Sequence, residues 1–478
     1  MSAFGSRRCD LQLTPNASSA TASDAGLVVG PGASNYNPSG TSRGIPSLAN
    51  DKATAAAPVV DVPDGPLAKS ARVFVAGSLA VDLSCDYAPL TRTSSTEPAL
   101  KTSNPARIRQ SLGGVAHNVA RAAHLSGASV KLCSLVGNDL AGKAALEAIS
   151  SQGMDPSGIQ TVESTSTAQY VALNDSKKDL FVAMADMSIL SDEHQVATDT
   201  VSRTSIQEVF ETFWYPQMQA MRPSHLVVDA NWSAEMLEQW LGASKRLSTH
   251  TSFEPVSSAK AARLFASRRN DGNALEENLR VHLASPNSLE LSAMFTAAQN
   301  AGFFDNEYWW PVIDALGIPS GGARTQLALA TSSSLVDEGI PQQTIQLLPY
   351  IPCILTKLGP EGVLLTQLLR AGDPRLSDGT YAPHILSRCG NGTEDTLGVG
   401  GVYMRLFPAV EQVPEEDIVS VNGVGDTFLG AIVAGLERGG KNARVENLVD
   451  VAQRAAVLTL KSAESVSPAV GVLTTLLD

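Results

Sequence analysis

The chain has 478 residues, 43% of them hydrophobic, and 35 basic against 48 acidic side chains give a net charge of −13. This apolar fraction is enough for a folded core, which excludes wholesale disorder. The acidic balance argues against nucleic acid or an anionic membrane as the main partner. A small anionic ligand is still compatible with it, because backbone dipoles can hold one without net positive charge.

The five cysteines are scattered, odd in number and without CxxC spacing, which argues against a disulfide framework or a zinc site. They predict a reducing compartment, the cytoplasm. A mitochondrial presequence would be poorer in acidic residues than the first 64 positions, which contain Asp10, Asp24, Asp51, Asp61 and Asp64. The longest apolar stretches fall short of the roughly 18 residues of a membrane span.

Residues 1–70 differ in composition from the rest of the chain. They are rich in Ser, Ala, Gly, Pro and Asn and show no sustained hydrophobic period. Such a composition is typical of a disordered, low-complexity tail or linker. We therefore expect the folded domain to comprise residues 71–478.

The folded part begins with RVFVAG at 72–77, a β-branched and aromatic run that predicts a buried strand. A helical period follows at 115–126, then a strand at 128–137 and a helix that ends at Gly153. Further apolar strands are expected at 225–229, 250–254, 352–358 and 362–366. Helical stretches lie between most of them. This alternation predicts an α/β fold, with a mainly parallel sheet covered by helices on both faces.

Two stretches interrupt the alternation. Residues 84–110 and 165–185 contain extra strand-like pieces and predict a small second sheet, placed over the first as a lid. Residues 267–280 and 300–345 look like insertions. The second insertion includes NEYWWPVIDAL, for which we expect a helix that packs on the main body.

A glycine-rich turn opens directly into a helix near the end of the chain. Gly423 and Gly425 immediately precede Asp426, and a helix with an apolar face follows. Such a turn gathers free N–H groups and the positive end of the helix dipole at one point, which suits a phosphoryl group. Asp426 could then accept a proton from a hydroxyl nucleophile. The alternative is that Asp426 only caps the helix.

Two other segments carry polar residues at helix starts. Gly113 and Gly114 allow close approach of the backbone to a ligand, and Asn118 follows in the first turn of a helix. Asn287 and Glu290 are three positions apart on one helix face, where an amide and a carboxylate suit the water shell of Mg²⁺. The alternatives are an ordinary glycine loop and an ordinary helix cap.

Together and in this order, the segments resemble the PfkB (ribokinase-like) family of sugar and nucleoside kinases over about residues 72–470. The family's first pattern is matched in spacing by Asn118, Ala120, Gly127 and Gly137, with Val115 in place of the usual small residue. Its second pattern ends in Gly-Ala-Gly-Asp, which NGVGD at 422–426 matches except for Val424. The TKLGPEGV segment at 356–363 is similar to the strand-turn-strand that precedes the nucleotide pocket.

The resemblance implies a three-layer α/β/α sandwich with a mainly parallel central sheet and a small β-sheet lid. It makes Asp426 the catalytic base on the primary hydroxyl of the substrate. The anion hole and the contacts to the ATP phosphates would come from Asn422, Gly423, Val424, Gly425, Lys357 and Gly359. Sugar hydroxyls would be bound by Asp82, Gly113, Gly114 and Asn118. Mg²⁺ would be held, through water, by Asn287 and Glu290.

Residues 179–190, 227–233 and 253–265 are similar to the pseudouridine kinase branch of this family, of the fungal type. The branch implies ATP-dependent phosphorylation of the 5′-hydroxyl of pseudouridine. The alternatives are ribokinase, adenosine kinase or fructokinase activity, and a non-catalytic scaffold on the same fold. In fungi such a kinase is often fused behind a pseudouridine-5′-phosphate glycosidase, and the polar segment 1–70 resembles the linker of such a fusion.

ATP and Mg²⁺ are the cofactors that the resemblance implies, and the partner is a small nucleoside or sugar rather than nucleic acid or a membrane. Similar proteins include some that use K⁺ and some that form homodimers through the lid. The residues of this chain leave both points open.

Overall fold

The computed structural model describes residues 72–89, 96–163, 165–191, 205–266, 280–318, 323–390 and 397–477. The predicted tail at 1–70 and nearly all of the predicted insertion at 267–280 lie outside these residues. All of the elements described below belong to one compact unit, Pro66–Asp478.

The described residues form fourteen strands in two sheets. The strands are β1 (Val73–Ala76), β2 (Ala80–Tyr87), β3 (Ala106–Gly113), β4 (Val130–Gly137), β5 (Ile159–Val162), β6 (Gln169–Asn174), β7 (Leu180–Asp186), β8 (His225–Asp229), β9 (His250–Glu254), β10 (Leu283–Ala284), β11 (Cys353–Lys357), β12 (Val363–Arg370), β13 (Ile385–Arg388) and β14 (Val399–Phe407).

The larger sheet has ten strands in the order β5-β4-β1-β8-β9-β10-β11-β12-β14-β13. From β5 to β11 all neighbours are parallel, and the remaining pairings, at the β12, β14 and β13 edge, are antiparallel. The prediction of a mainly parallel sheet is confirmed. In such a sheet the carboxyl ends of the parallel strands share one edge, where polar side chains of different strands can meet.

Thirteen α-helices accompany these strands in the described residues. They are α1 (Val115–Leu125), α2 (Leu140–Ser151), α3 (Ile206–Val209), α4 (Tyr215–Met221), α5 (Ala234–Leu247), α6 (Ser258–Ala261), α7 (Ser288–Asn300), α8 (Trp309–Ala315), α9 (Arg324–Ala330), α10 (Ser333–Asp337), α11 (Ile340–Leu347), α12 (Val424–Gly439) and α13 (Val445–Leu460).

The helices lie on both faces of the larger sheet, because the side chains of its strands alternate between two apolar cores. Val73 and Val75 of β1 belong to the core that contains the buried residues of α1, α12 and α13. Phe74 and Ala76 belong to the opposite core, with the buried residues of α5, α7 and α11. The expected three-layer α/β/α arrangement is therefore confirmed.

The smaller sheet has four strands in the order β3-β2-β6-β7. Its first two strands reach beyond the predicted stretch 84–110, since β2 begins at Ala80 and β3 ends at Gly113. Cross-strand partners lie on the same face. The register therefore places Leu83, Val171 and Met184 together on the face opposite Asp82.

That opposite face of the small sheet is apolar and partly solvent-exposed. Ile108 is 65% exposed and Met184 is 59% exposed. An exposed apolar face of this kind is available to a second copy of the chain. The homodimer stays a prediction.

The described part of the stretch 300–345 is helical. It contains α8 to α10 and the start of α11. The helix expected in NEYWWPVIDAL is present as α8, and Trp309 is buried with its ring 5.4 Å from that of Phe304. The side chain packs into the same core as α5 and α7, which explains why this bulky segment joins the main body.

The contact between α1 and α12 depends on Gly430. A Cβ atom at this position would lie 2.6 Å from both the Ala122 Cβ and the Val119 carbonyl oxygen. We predict that Gly430→Ala lowers the free energy of unfolding by about 1–3 kcal/mol, because the two helices must separate. Denaturant unfolding monitored by circular dichroism measures the change.

Gly242→Ala in α5 is the matched control for this helix glycine. The nearest atom to its added Cβ, 3.4 Å away, is the flexible Arg246 guanidinium. This variant should be as stable as the wild type or more stable, by up to about 1 kcal/mol, because Ala is the better helix former. Wild-type stability of Gly430→Ala would show that the two helices do not need their close contact.

Candidate active site at the carboxyl ends of the parallel strands

The amino terminus of α12 forms the centre of the candidate site. Gly423 precedes the helix with φ 72°, and a Cβ there would lie 1.8 Å from the Ser465 carbonyl oxygen, so only glycine fits. The N–H groups of the first turn, from Val424 to Asp426, have no acceptor within their own helix. They and the helix dipole therefore create an anion-binding position, as the sequence predicts.

Asp426 lies in this first turn and is buried, with 9% of its surface exposed. Its carboxylate accepts a hydrogen bond of 2.8 Å from the side-chain amide of Asn118 on α1. Burial raises the pKa of Asp426 to about 6, while the bond from Asn118 and the charge of Lys357 oppose the shift. Such a carboxylate changes its protonation state close to neutral pH, as a general base requires.

A second acid, Asp82 on β2, lies near Asp426. A Cβ on Gly113, at the end of β3, would lie 2.1 Å from its carboxylate, so the absence of a side chain there makes room for the acid. Burial, and after it the charge of Asp426, raises the pKa of Asp82 to about 7. Asp426 therefore lies near enough for its charge to act on Asp82. Asn118 bonds to Asp426, and Gly113 lies against Asp82.

A buried carboxylate fixes the backbone around this pair. Asp229, at the end of β8, accepts hydrogen bonds from the backbone N–H of Ser78 at 2.8 Å, the Ser78 hydroxyl at 2.9 Å and the backbone N–H of Ala116 at 3.1 Å. It thereby joins the ends of β1 and β8 to the first turn of α1. Gly114, which precedes α1 with φ 91°, passes so close to the Ser78 carbonyl oxygen that a Cβ would lie 2.6 Å from it.

Lys357, at the end of β11, lies half-buried beside the anion-binding turn. Its ammonium group lies 3.0 Å from the position of a Cβ on Gly425, and donates to the two carboxylate oxygens of Glu254 at 2.9 and 3.1 Å. Burial alone would lower the pKa of Lys357, but the charges of Glu254 and Glu290 hold it above its usual value. Burial in turn raises the pKa of Glu254, although the ammonium opposes that shift.

Asn287 and Glu290 form the cap of α7. The Asn287 side chain accepts from the Glu290 backbone N–H at 2.9 Å, and the Glu290 carboxylate accepts from the Asn287 backbone N–H at 2.9 Å. The helix cap, which the sequence analysis gave as the alternative to a Mg²⁺ site, is therefore present. The backbone of Lys357 bonds to Pro286, which keeps this cap next to the ammonium group.

These residues are suited to a cation that is held through water. Glu290 keeps a second carboxylate oxygen besides the one used in the cap. No group of three or more His, Cys, Asp or Glu side chains arranged as metal ligands occurs in the described ranges. Mg²⁺ usually takes one or two protein carboxylates and keeps several waters, a need that the second oxygen of Glu290 could meet.

Two other expected site residues, Asn422 and Gly359, lie in exposed turns. Asn422 is exposed, and its backbone N–H bonds to the hydroxyl of Ser420. Gly359 lies in the turn between β11 and β12 with φ 59°, and open space surrounds the position of its missing Cβ. The side chain of Val424 is half-buried at the start of α12, where its backbone N–H faces the anion-binding position.

Sequence reasoning assigned no role to Asp229, Glu254 or His117. The first two are the last residues of neighbouring parallel strands, which was the signal available for them. His117 lies 3.2 Å from the Asn118 amide oxygen and, on its other side, 3.2 Å from Gln152. Burial lowers its pKa. Its contact with the Asn118 amide oxygen orients the amide whose nitrogen donates to Asp426.

Comparison with known proteins finds similar sequences. The chain is 28% identical over 411 residues to a pseudouridine-metabolizing bifunctional protein of Schizosaccharomyces pombe, a match that covers 85% of this chain and 48% of that protein. A pseudouridine kinase of Escherichia coli is 33% identical over 87 residues, covering 18% of this chain and 28% of that protein. The chain thus spans about half the length of the fungal relative.

Solved structures share the fold. A ribokinase from Cryptococcus neoformans in complex with ADP superimposes with a TM-score of 0.52 at 17% identity, covering 84% of this chain and 99% of that one. An Arabidopsis thaliana ribokinase complexed with ribose and ATP gives 0.52 at 15% identity, covering 86% and 99%. The ribokinase-like fold is therefore shown.

Among the described residues, no helix combines the length and apolar composition that a membrane crossing requires.

The sequence profile of the pfkB carbohydrate kinase family matches residues 70–302 and 396–470. The matched segments include the glycine loop before α1, the cap of α7 and the start of α12. The chain belongs to the pfkB family of carbohydrate kinases, phosphotransferases whose acceptor is a hydroxyl group.

Proposed function

We propose that this chain is an ATP- and Mg²⁺-dependent kinase that phosphorylates the 5′-hydroxyl of pseudouridine. The observation that carries the proposal is the hydrogen bond between Asn118 and Asp426, which holds a buried carboxylate at the start of α12 and beside Asp82. A proton acceptor and an anion-binding turn then meet at one point. The similarity to the two pseudouridine-metabolising relatives supports the choice of nucleoside.

In the proposed reaction the Asp82 carboxylate accepts hydrogen bonds from ribose hydroxyls, while Gly113, Gly114 and Asn118 line the sugar site. Asp426 accepts the proton of the 5′-hydroxyl as that oxygen attacks the γ-phosphorus of ATP. The bond to the β–γ bridging oxygen breaks, and ADP leaves. The products are pseudouridine 5′-phosphate and ADP, and the proton passes from Asp426 to solvent.

The charge of the transferring phosphoryl group needs stabilisation. We assign this role to the backbone turn at 422–425, with the ammonium of Lys357 and the turn at Gly359 on the side of the ATP phosphates. Asn287 and Glu290 would hold Mg²⁺ through water. The cation would neutralise charge on the ATP phosphates.

The substrate is tested by incubating the purified protein with ATP, Mg²⁺ and either pseudouridine, uridine, adenosine, ribose or fructose, with products identified by mass. We expect selective conversion of pseudouridine. A polar uracil edge joined through carbon offers contacts that a free sugar lacks. A strong preference for ribose or adenosine would overturn the substrate assignment. Exchange of K⁺ for Na⁺ in the same assay tests the monovalent cation.

The chemistry is tested by Asp426→Asn, which preserves shape and the bond from Asn118 but removes the base. We expect kcat to fall by about 10²–10⁴-fold while ATP binding and the melting temperature persist. Asp378→Asn is the control, because Asp378 is an exposed turn residue outside the site. Turnover by Asp426→Asn within about threefold of wild type would exclude general-base catalysis by this residue.

The pH dependence follows from the two raised pKa values. Both Asp426 and Asp82 must be ionised, so kcat/KM should rise as pH increases through about 6 and about 7 and then level off. Asn118→Ala removes the hydrogen bond that lowers the pKa of Asp426. In this variant the rise of kcat/KM should therefore occur at higher pH, as pH–rate profiles would measure. A rise at the same pH as in the wild type, or at lower pH, would contradict this role of the amide.

A further inference from the structure

Glu254 is a buried acid to which the proposed reaction gives no role. It ends β9, is 3% exposed, and accepts hydrogen bonds from the Lys357 ammonium through both carboxylate oxygens. A carboxylate in such a place is costly unless a cation compensates it. The ammonium of Lys357 is that cation, so the two side chains form one unit.

Three acidic groups compete for the Lys357 ammonium. Glu254 faces it from β9, Glu290 from α7 and Asp426 from α12, and each acts on it electrostatically. The hydrogen-bonded partner is Glu254. The ammonium therefore rests beside Gly425, within the turn that precedes Asp426, rather than on the carboxylate of Asp426.

The identity of the partner matters for proton transfer. An ammonium group that bonded to Asp426 would occupy the lone pairs that must accept the proton of the acceptor hydroxyl. It would also stabilise the ionised form and so make the carboxylate a weaker base. The same ammonium placed beside Gly425 faces the position where negative charge develops during phosphoryl transfer.

We propose that Glu254 is a positioning residue that holds the Lys357 ammonium beside the Gly425 turn and thereby keeps the Asp426 carboxylate free to act as base. This inference rests on the proposed phosphoryl transfer. On this proposal Glu254 acts on the reaction through Lys357. Its removal is therefore harmful while the lysine is present and without consequence once the lysine is gone.

A double-mutant cycle tests this dependence directly. Steady-state kinetics would give kcat and both KM values for Glu254→Gln, Lys357→Met and the double variant E254Q/K357M. We expect Glu254→Gln to lower kcat about tenfold or more with the KM for the acceptor unchanged, because the released ammonium occupies the base. The double variant should match Lys357→Met in kcat, because Glu254 has no ammonium left to position.

The conservative variant Glu254→Asp keeps the charge with a shorter reach, and its kcat should lie between those of wild type and Glu254→Gln. Glu446→Gln is the matched control. Glu446 is also a buried acid in an ion pair, with Arg375, in a part of the fold remote from the site. Glu446→Gln should lower the melting temperature but leave kcat unchanged.

Wild-type kcat in Glu254→Gln overturns the proposal, as does a double variant whose loss is the product of the two single losses. If Glu254→Gln does not fold, the double variant, which leaves no unpaired buried charge, is compared with Lys357→Met instead. Equal kcat in these two variants supports the proposal, and a lower kcat in the double variant overturns it. Activity of Asp426→Asn would instead refute the proposed function, so the two failures are distinguishable.

Discussion

The close packing of α1 against α12 is the constraint on which the site depends. Gly430 lets the two helices approach until the amide of Asn118 reaches the carboxylate of Asp426, 308 positions away in the chain. One helix starts at the glycine loop after β3 and the other at the NGVGD turn. Their contact therefore sets the distance between Asn118, with the residues proposed to bind the sugar, and the anion-binding turn.

Glycines also determine where the charged groups of the site can lie. The carboxylate of Asp82 occupies the space that a side chain on Gly113 would fill, and the ammonium of Lys357 lies beside the bare Cα of Gly425. Burial then raises the pKa values of Asp82 and Asp426 towards neutrality. The small residues thus make room for the charged groups, and burial sets the acid–base properties of the two acids.

Local patterns predicted the elements, and long-range contacts completed the site. Three elements could be predicted from the sequence: the strand at 72–77, the helix after Gly114 and the glycine turn before Asp426. Hydrophobic period and glycine placement are signals that act within a few residues. The bond of Asp229 to Ser78 and that of Glu254 to Lys357 join positions 151 and 103 apart. No periodic signal encodes such a pair, and the roles proposed for the site residues stay predictions.

The most direct test of the account is a crystal structure of the protein with pseudouridine and a non-hydrolysable ATP analogue. The account predicts the 5′-oxygen within about 2.6–3.2 Å of the Asp426 carboxylate, in line with a γ-phosphate at the amino terminus of α12. A 5′-oxygen directed away from Asp426, with another side chain at hydrogen-bond distance, would contradict it.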